Sequence, residues 1–227
     1  MASEFTFVVE KTCPVCGETT RIVKVKSRLV AQKIDDDYCC HYRDFNPYLY
    51  HIWTCEHCGF AADEKVFLTP MHDRHKEKMA AFLKEKRVKF RFVEERTVPD
   101  GLASLQLAIY CAELLKAPVA RLAGLTLRLA WIFRLIGNEE QERIYTQKAV
   151  EMYERSLASE RYPIDNLSDS MVMYLIGALH ARLGQRDQAI MYLSRLVGDK
   201  EAKVTDAKLH QDARRLWQDI RADKEDA

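Results

Sequence analysis

Cys13-Pro14-Val15-Cys16-Gly17 and Cys55-Glu56-His57-Cys58-Gly59 are two C-x-x-C-G hooks on one chain, and their reading decides how its N-terminal part is built. A two-residue gap lets both sulfurs of a hook turn toward one ion. The glycine after the second cysteine permits the tight turn that aims backbone amides at those sulfurs. Each hook supplies half a tetrahedron, so Cys13, Cys16, Cys55 and Cys58 are expected to hold one structural Zn2+ in a closed site with no open position for chemistry. The gap between the hooks, residues 17–54, exceeds the usual spacing of about 15 to 20. Loop-closure entropy grows only logarithmically, so the excess costs about 0.7 kcal/mol, against roughly 10 to 16 kcal/mol of apparent binding at structural zinc sites.

Strands are expected to lead into both hooks. Residues 5–9 read as a short strand before the first, and 48–54, rich in aromatic and β-branched side chains, run directly into the second. Residues 20–26 alternate apolar and basic side chains, with 29–34 as a hairpin partner across Ser27-Arg28. Strand then thiolate turn, twice over, is the order of a zinc ribbon with an enlarged insert, here residues 1–68. The redox alternative, each C-x-x-C a dithiol, expects a thioredoxin-like strand-to-helix setting that these flanks do not offer.

From Pro70 the pattern turns helical. Thr69-Pro70 reads as a helix start running to about Lys86, with 88–93 as an extended crossing segment; residues 69–98 form a connector. Pro99-Asp100-Gly101 reads as a break. Helices are then expected at 102–115, 119–136, 140–159, 168–183, 186–197 and 205–222, making 99–227 an all-α domain. Gly177, Gly184, Ala189, Leu193 and Leu196 fall at the small, turn and large apolar positions of a tetratricopeptide-like repeat, and Ala130 with Gly137 begins a second, more degenerate copy. The fold class is α+β, a zinc-ribbon-like module followed by a helical array. On that alignment Trp131, Arg134, Tyr174, Ala178 and Arg182 would line a concave partner-binding surface, with Arg134 and Arg182 suited to a carboxylate.

Composition narrows the function classes. A formal charge of +1, with 30% charged and 48% hydrophobic residues, describes an ordinary soluble globular chain and marks neither a general nucleic-acid binder nor a membrane-surface protein. Residues 1–10 lack a basic-then-apolar leader, and the most apolar stretch, 119–136, is cut by Arg121, Arg128 and Arg134. A cytoplasmic, reducing location is expected, where paired C-x-x-C hooks favour metal over disulfides. Cys39 and Cys40 are adjacent and would point to opposite faces of a strand. Ordinary packing or exposure accounts for them and for His41, and a solvated turn for the Asp35-Asp36-Asp37 run; Cys39 and His41 lying beside those aspartates would instead make a second, open metal site. His57 reads as a solvent-facing turn residue and Cys111 as a small core residue. No glycine-rich phosphate loop, G-x-S-x-G elbow or H-E-x-x-H helix is present.

Taken together, the two hooks, Asp35-Asp36-Asp37-Tyr38-Cys39, Asn46-Pro47-Tyr48-Leu49-Tyr50 and Cys58-Gly59-Phe60-Ala61-Ala62 make nearly the whole chain resemble the bacterial domain of unknown function 2225 family. The resemblance implies a cytoplasmic bacterial protein with a zinc-binding N-terminal part and tetratricopeptide-like helices, and it implies no activity. The leading expectation is a non-enzymatic adaptor for an unidentified protein or peptide partner. A second is a nucleic-acid-binding zinc-ribbon protein, because Arg74, Lys76, Lys78, Lys84, Lys86, Arg87, Lys89 and Arg91 outnumber Glu77 and Glu85. A third is a metal-dependent or thiol enzyme built on Cys39, His41 and Asp37.

Overall fold

In the computed structural model, which describes residues 4–88 and 90–225, each hook is the turn of an antiparallel hairpin. Lys89 of the basic stretch lies outside the described residues. β1 (Thr6–Thr12) pairs with β2 (Thr19–Val25) from Thr6 opposite Val25 to Thr12 opposite Thr19, so the first hook closes this hairpin. β3 (Ala31–Ile34) pairs instead with β4 (Cys40–Tyr42). The expected pairing of 29–34 with 20–26 is therefore wrong: β2's partner is β1, reached across the hook rather than across Ser27-Arg28. β5 (Ile52–Thr54) pairs with β6 (Ala61–Asp63), and the second hook is their turn. The strand expected over 48–54 is confined to β5. Asn46 accepts a hydrogen bond from the Tyr48 amide (3.1 Å) and starts a 3-10 turn at Pro47–Tyr50.

The chain divides into two compact units, one of Met1–Lys33, His41–Ala117 and Trp131–Gly137, the other of Ile34–Cys40, Pro118–Ala130 and Asn138–Ala227. The first unit adds α1 (Glu64–Leu68), α2 (Asp73–Glu85) and α3 (Val98–Leu114) to the hairpins. Thr69 ends α1 rather than starting α2, whose N-cap is His72. Nor do Pro99, Asp100 and Gly101 break the helix. Thr97 caps α3 in a capping box with Asp100, and proline is tolerated in a first turn whose amides have no intrahelical partner. Ile22, Trp53, Phe60, Phe67, Met79, Leu83 and Cys111 fill the core together with Cys13 and Cys55. Met79 and Leu83, one helical turn apart, are the face that α2 buries. The side chains of β5 are all buried, because α3 and α1 pack where an edge hairpin would meet water.

In the second unit α4 (Val119–Leu135), whose last turn is counted with the first, is followed by α5 (Glu139–Ser159), α6 (Asp169–Arg182), α7 (Arg186–Gly198), α8 (Lys200–Thr205) and α9 (Ala207–Glu225). α6 is buried nearly all round, as expected of a helix that packs on α5, α7 and α9. Its Gly177 faces Leu193 of α7 so closely that an added Cβ would lie 2.7 Å from the leucine Cγ. Ala189, Leu193 and Leu196 of α7 pack into the same core. The helix expected over 205–222 begins at Ala207, because the Asp206 carboxylate caps it through the Leu209 amide (3.0 Å) after α8 has ended. α9 buries Leu209, Ala213, Leu216 and Ile220, an amphipathic spacing that covers α6 and α7. The architecture is α+β. No helix among the described residues is long and apolar enough to cross a membrane.

Candidate metal centre

The two hooks have the same local construction. In the first, the Cys13 amide donates to the Glu18 carbonyl and the Gly17 amide to the Cys13 carbonyl, both at 2.9 Å. In the second, Cys55 donates to Phe60 and Gly59 to Cys55, again at 2.9 Å. Gly17 and Gly59 take φ of +80° and +78°, a region in which a side chain is strained. The turns aim amides at sulfur: Val15 and Cys16 donate to Cys13 Sγ, His57 and Cys58 to Cys55 Sγ, and Phe60 to Cys58 Sγ.

The four sulfurs converge. Cys13 Sγ lies 3.7 Å from Cys58 Sγ and Cys16 Sγ 3.7 Å from Cys55 Sγ, and all four are within 4.8 Å of one another. A tetrahedron with metal–sulfur bonds of about 2.3 Å has edges of about 3.8 Å, whereas a disulfide would need about 2.05 Å. The cluster can therefore hold a metal ion, and it fits one ion better than it fits two disulfides. Each close pair takes one cysteine from each hook, so a bound ion joins the β1–β2 hairpin to the β5–β6 hairpin. Cys13 and Cys55 are fully buried while Cys16 is exposed, which sets the cluster at the edge of the core.

Without an ion, thiols this close share protons. The Cys55 thiol is held well below its ordinary value by hydrogen bonds from Cys13 and Cys58. Its hydrogen bond to Cys55 and its burial push Cys13 up to about 12, and Cys58 is raised by its bonds to Cys13 and Cys55 and by burial. Binding a metal must expel those protons, so affinity rises with pH.

Three contacts beside the hooks were not legible in the sequence. Arg21 forks onto Glu56, Nε to Oε1 at 3.1 Å and Nη2 to Oε2 at 2.7 Å, and holds that carboxyl below the usual range. The Thr20 hydroxyl accepts from the Glu56 amide at 3.0 Å, and His57, exposed as expected, bonds the Thr19 carbonyl through Nε2 at 2.9 Å. All three join β2 to the second hook, and long-range pairs of this kind carry no spacing signal. Arg96 is a further unforeseen residue. Its Nη1 donates to the carbonyls of Leu49 (2.9 Å) and Ile52 (2.8 Å), and its guanidinium lies over the Tyr50 and Phe90 rings. Burial lowers its pKa to about 10.

A family model described as an uncharacterized protein conserved in bacteria (DUF2225) matches residues 8–220. The chain belongs to this family. No curated protein and no solved structure matches it. The DUF2225 match begins inside β1 and ends inside α9, so it spans both hooks, and the family's description assigns no activity.

The other candidate residues are distributed differently. Trp131 and Arg134 belong to the first unit, where Trp131 lies 5.2 Å from the Tyr48 ring. Tyr174 and Arg182 belong to the second. Tyr174 is fully buried, with its hydroxyl on the Asp36 carbonyl (2.8 Å), and exposed Arg182 pairs with Glu142 (2.8 Å). The acidic run does form a turn with Asp36 exposed, but it is not solvated throughout: Asp37 is buried, and its carboxylate accepts from the Cys39 amide at 3.3 Å. Cys39 and His41 do come together, with Asp35 rather than Asp37 as the neighbouring carboxylate.

Proposed function

We propose that this chain is a zinc-binding bacterial cytoplasmic protein that acts as a non-enzymatic adaptor for a protein or peptide partner. The observation that carries the reading is the four-cysteine cluster, whose donors are all thiolates spaced for a closed tetrahedron. Four thiolates around Zn2+ leave no position for a substrate or an activated water, so the ion's work is structural, holding two hairpins together. Recognition then falls to surfaces elsewhere. The helix pairs of the second unit, with the small-residue contact of Gly177 on Leu193, support a tetratricopeptide-like reading, and such pairs present partner-binding faces. Arg182 at the end of α6, and Trp131 and Arg134 at the end of α4, are the exposed or half-buried candidates. The test is affinity purification of the chromosomally tagged protein with mass spectrometry and metal analysis. One tightly held zinc and a stoichiometric protein partner are expected. A four-cysteine site that gives up its zinc without unfolding, in a chain that brings down no partner, would refute it.

A second reading rests on α2 and its C-terminal end, where Arg74, Lys78, Lys84, Lys86 and Arg87 are all exposed. Such a face can contact nucleic-acid phosphates, and it predicts retention on heparin with an affinity that falls steeply with salt. An unchanged elution after replacing Lys84, Lys86 and Arg87 by glutamine would exclude it.

A further inference from the structure

The β3–β4 hairpin is closed by its own hydrogen bonds. The Asp35 amide donates to the Cys39 carbonyl (2.9 Å), the Tyr38 amide to the Asp35 carbonyl (2.9 Å) and the Arg43 amide to the Val30 carbonyl (3.0 Å). Asp36, Asp37 and Tyr38 thus form a three-residue loop, a type I turn followed by a left-handed residue, here Tyr38 at φ +64°. A tyrosine in that region is strained, and it is held there by its ring against Tyr174 (5.3 Å) and its hydroxyl on Asp212 (3.3 Å). This turn sets Asp35 directly across from Cys39. Side chains alternate along a strand, so His41 follows Cys39 on the same face while Cys40 points away. A carboxylate oxygen of Asp35, Cys39 Sγ and a ring nitrogen of His41 all lie within 4.8 Å of one another. Cys39 is fully buried, and Asp35 and His41 are half-buried.

We propose that this hairpin is a second metal site, at which Asp35, Cys39 and His41 bind one divalent transition-metal ion. Ligands around a tetrahedral ion at bonds of about 2.0 to 2.3 Å sit about 3.3 to 3.8 Å apart, so donors that all lie within 4.8 Å of one another need to close by no more than about 1.5 Å. A thiolate donor disfavours Mg2+ and Ca2+, and thiolate with imidazole and carboxylate suits Zn2+ or Co2+. Three protein donors leave at least one position for water or for an oxygen of a bound molecule. In this the site differs from the four-cysteine cluster: its open position makes the ion exchangeable.

The test uses the full chain, zinc-loaded, dialysed and treated with a mild chelator, with metal measured by mass spectrometry. Two zinc per chain before chelation and one after, at unchanged circular dichroism, are expected. Adding Co2+ to the chelated protein should then restore the second equivalent with a thiolate-to-cobalt charge-transfer band. His41→Ala and Asp35→Asn should each lose the exchangeable equivalent and the cobalt band while keeping the tight zinc and the wild-type melting temperature. Cys39→Ala should do the same, and if that buried position does not tolerate the change, the two half-buried variants decide. A wild-type chain that takes up no second ion, or a His41→Ala and Asp35→Asn pair that both keep it, overturns the proposal. Either result leaves the four-cysteine site standing.

Discussion

Gly17 and Gly59 occupy equivalent places in the two hooks with nearly equal φ, +80° and +78°, yet alanine should not be equally harmful at both. At Gly17 an added Cβ meets nothing within 4 Å. The cost there is the left-handed backbone alone, about 1 to 2 kcal/mol, reduced by up to about 1 kcal/mol because alanine also restricts the unfolded chain. At Gly59 the same Cβ would lie 2.5 Å from Val88 Cγ1 and 3.2 Å from Val88 Cβ, where carbon atoms prefer about 3.5 to 4.0 Å. Overpacking of that kind adds roughly 1 to 3 kcal/mol. Gly59→Ala should therefore be less stable than Gly17→Ala by at least about 1 kcal/mol, and Val88→Ala in the Gly59→Ala background should recover most of the difference. Urea unfolding of the zinc-loaded wild type, of Gly17→Ala, Gly59→Ala and Val88→Ala, and of the double variant, followed by the fluorescence of tryptophans that include buried Trp53, measures the five stabilities, with zinc content checked in each. Equal destabilisation by the two alanines, or no coupling between positions 59 and 88, would show the hook geometry to be wrong.

Other expectations follow from the same region. Cys55→Ser should abolish tight zinc binding and lower the melting temperature, since an ion held by the four cysteines would join two hairpins; a variant that keeps its zinc stoichiometry would remove Cys55 from the ligand set. Lowering pH should release the tight ion, because protons return to thiolates that ligation keeps ionised, and a chromophoric chelator should report faster release in acid than at neutrality. Arg96→Met keeps much of the stem's packing but leaves the carbonyls of Leu49 and Ile52 without their donor, so a loss of about 2 to 3 kcal/mol is expected in denaturant unfolding. A change below about 0.5 kcal/mol would mean that water replaces the guanidinium.

The hooks were legible because metal ligation fixes residue type and spacing together, and they lie where strands lead into them. The pairing of those strands was not. Adjacency points residues 29–34 to β2, while the turn that claims them, Asp36-Asp37-Tyr38, lacks the glycine that marks most left-handed positions; Tyr38 is held there by Tyr174 and Asp212, distant in sequence. At α3 one dipeptide carries two opposite signals: Pro99 resembles a breaker but is a first-turn proline, because Thr97 with Asp100 forms a capping box ahead of it. Asn46-Pro47 likewise announced the turn that shortens β5. Helix order in the second unit was readable from apolar periodicity and from Gly137 and Gly184, whereas the burial of Tyr174 depends on α9 and on the Asp36 carbonyl, which no local pattern encodes.

The two units draw on interleaved stretches of chain, with Ile34–Cys40 and Trp131–Gly137 each belonging to a unit other than the one their neighbours form. No single cut in the gene separates the units intact. A fragment ending at Ala117 lacks the last piece of the first unit and carries a loop of the second, and a fragment starting at Asn138 lacks all of α4 and the Ile34–Cys40 segment. The protein is thus poorly suited to inheritance as shuffled cassettes. Recombination that swapped its metal part or its helical part with another gene would have to exchange several segments at once, which favours transmission of the whole reading frame as one piece.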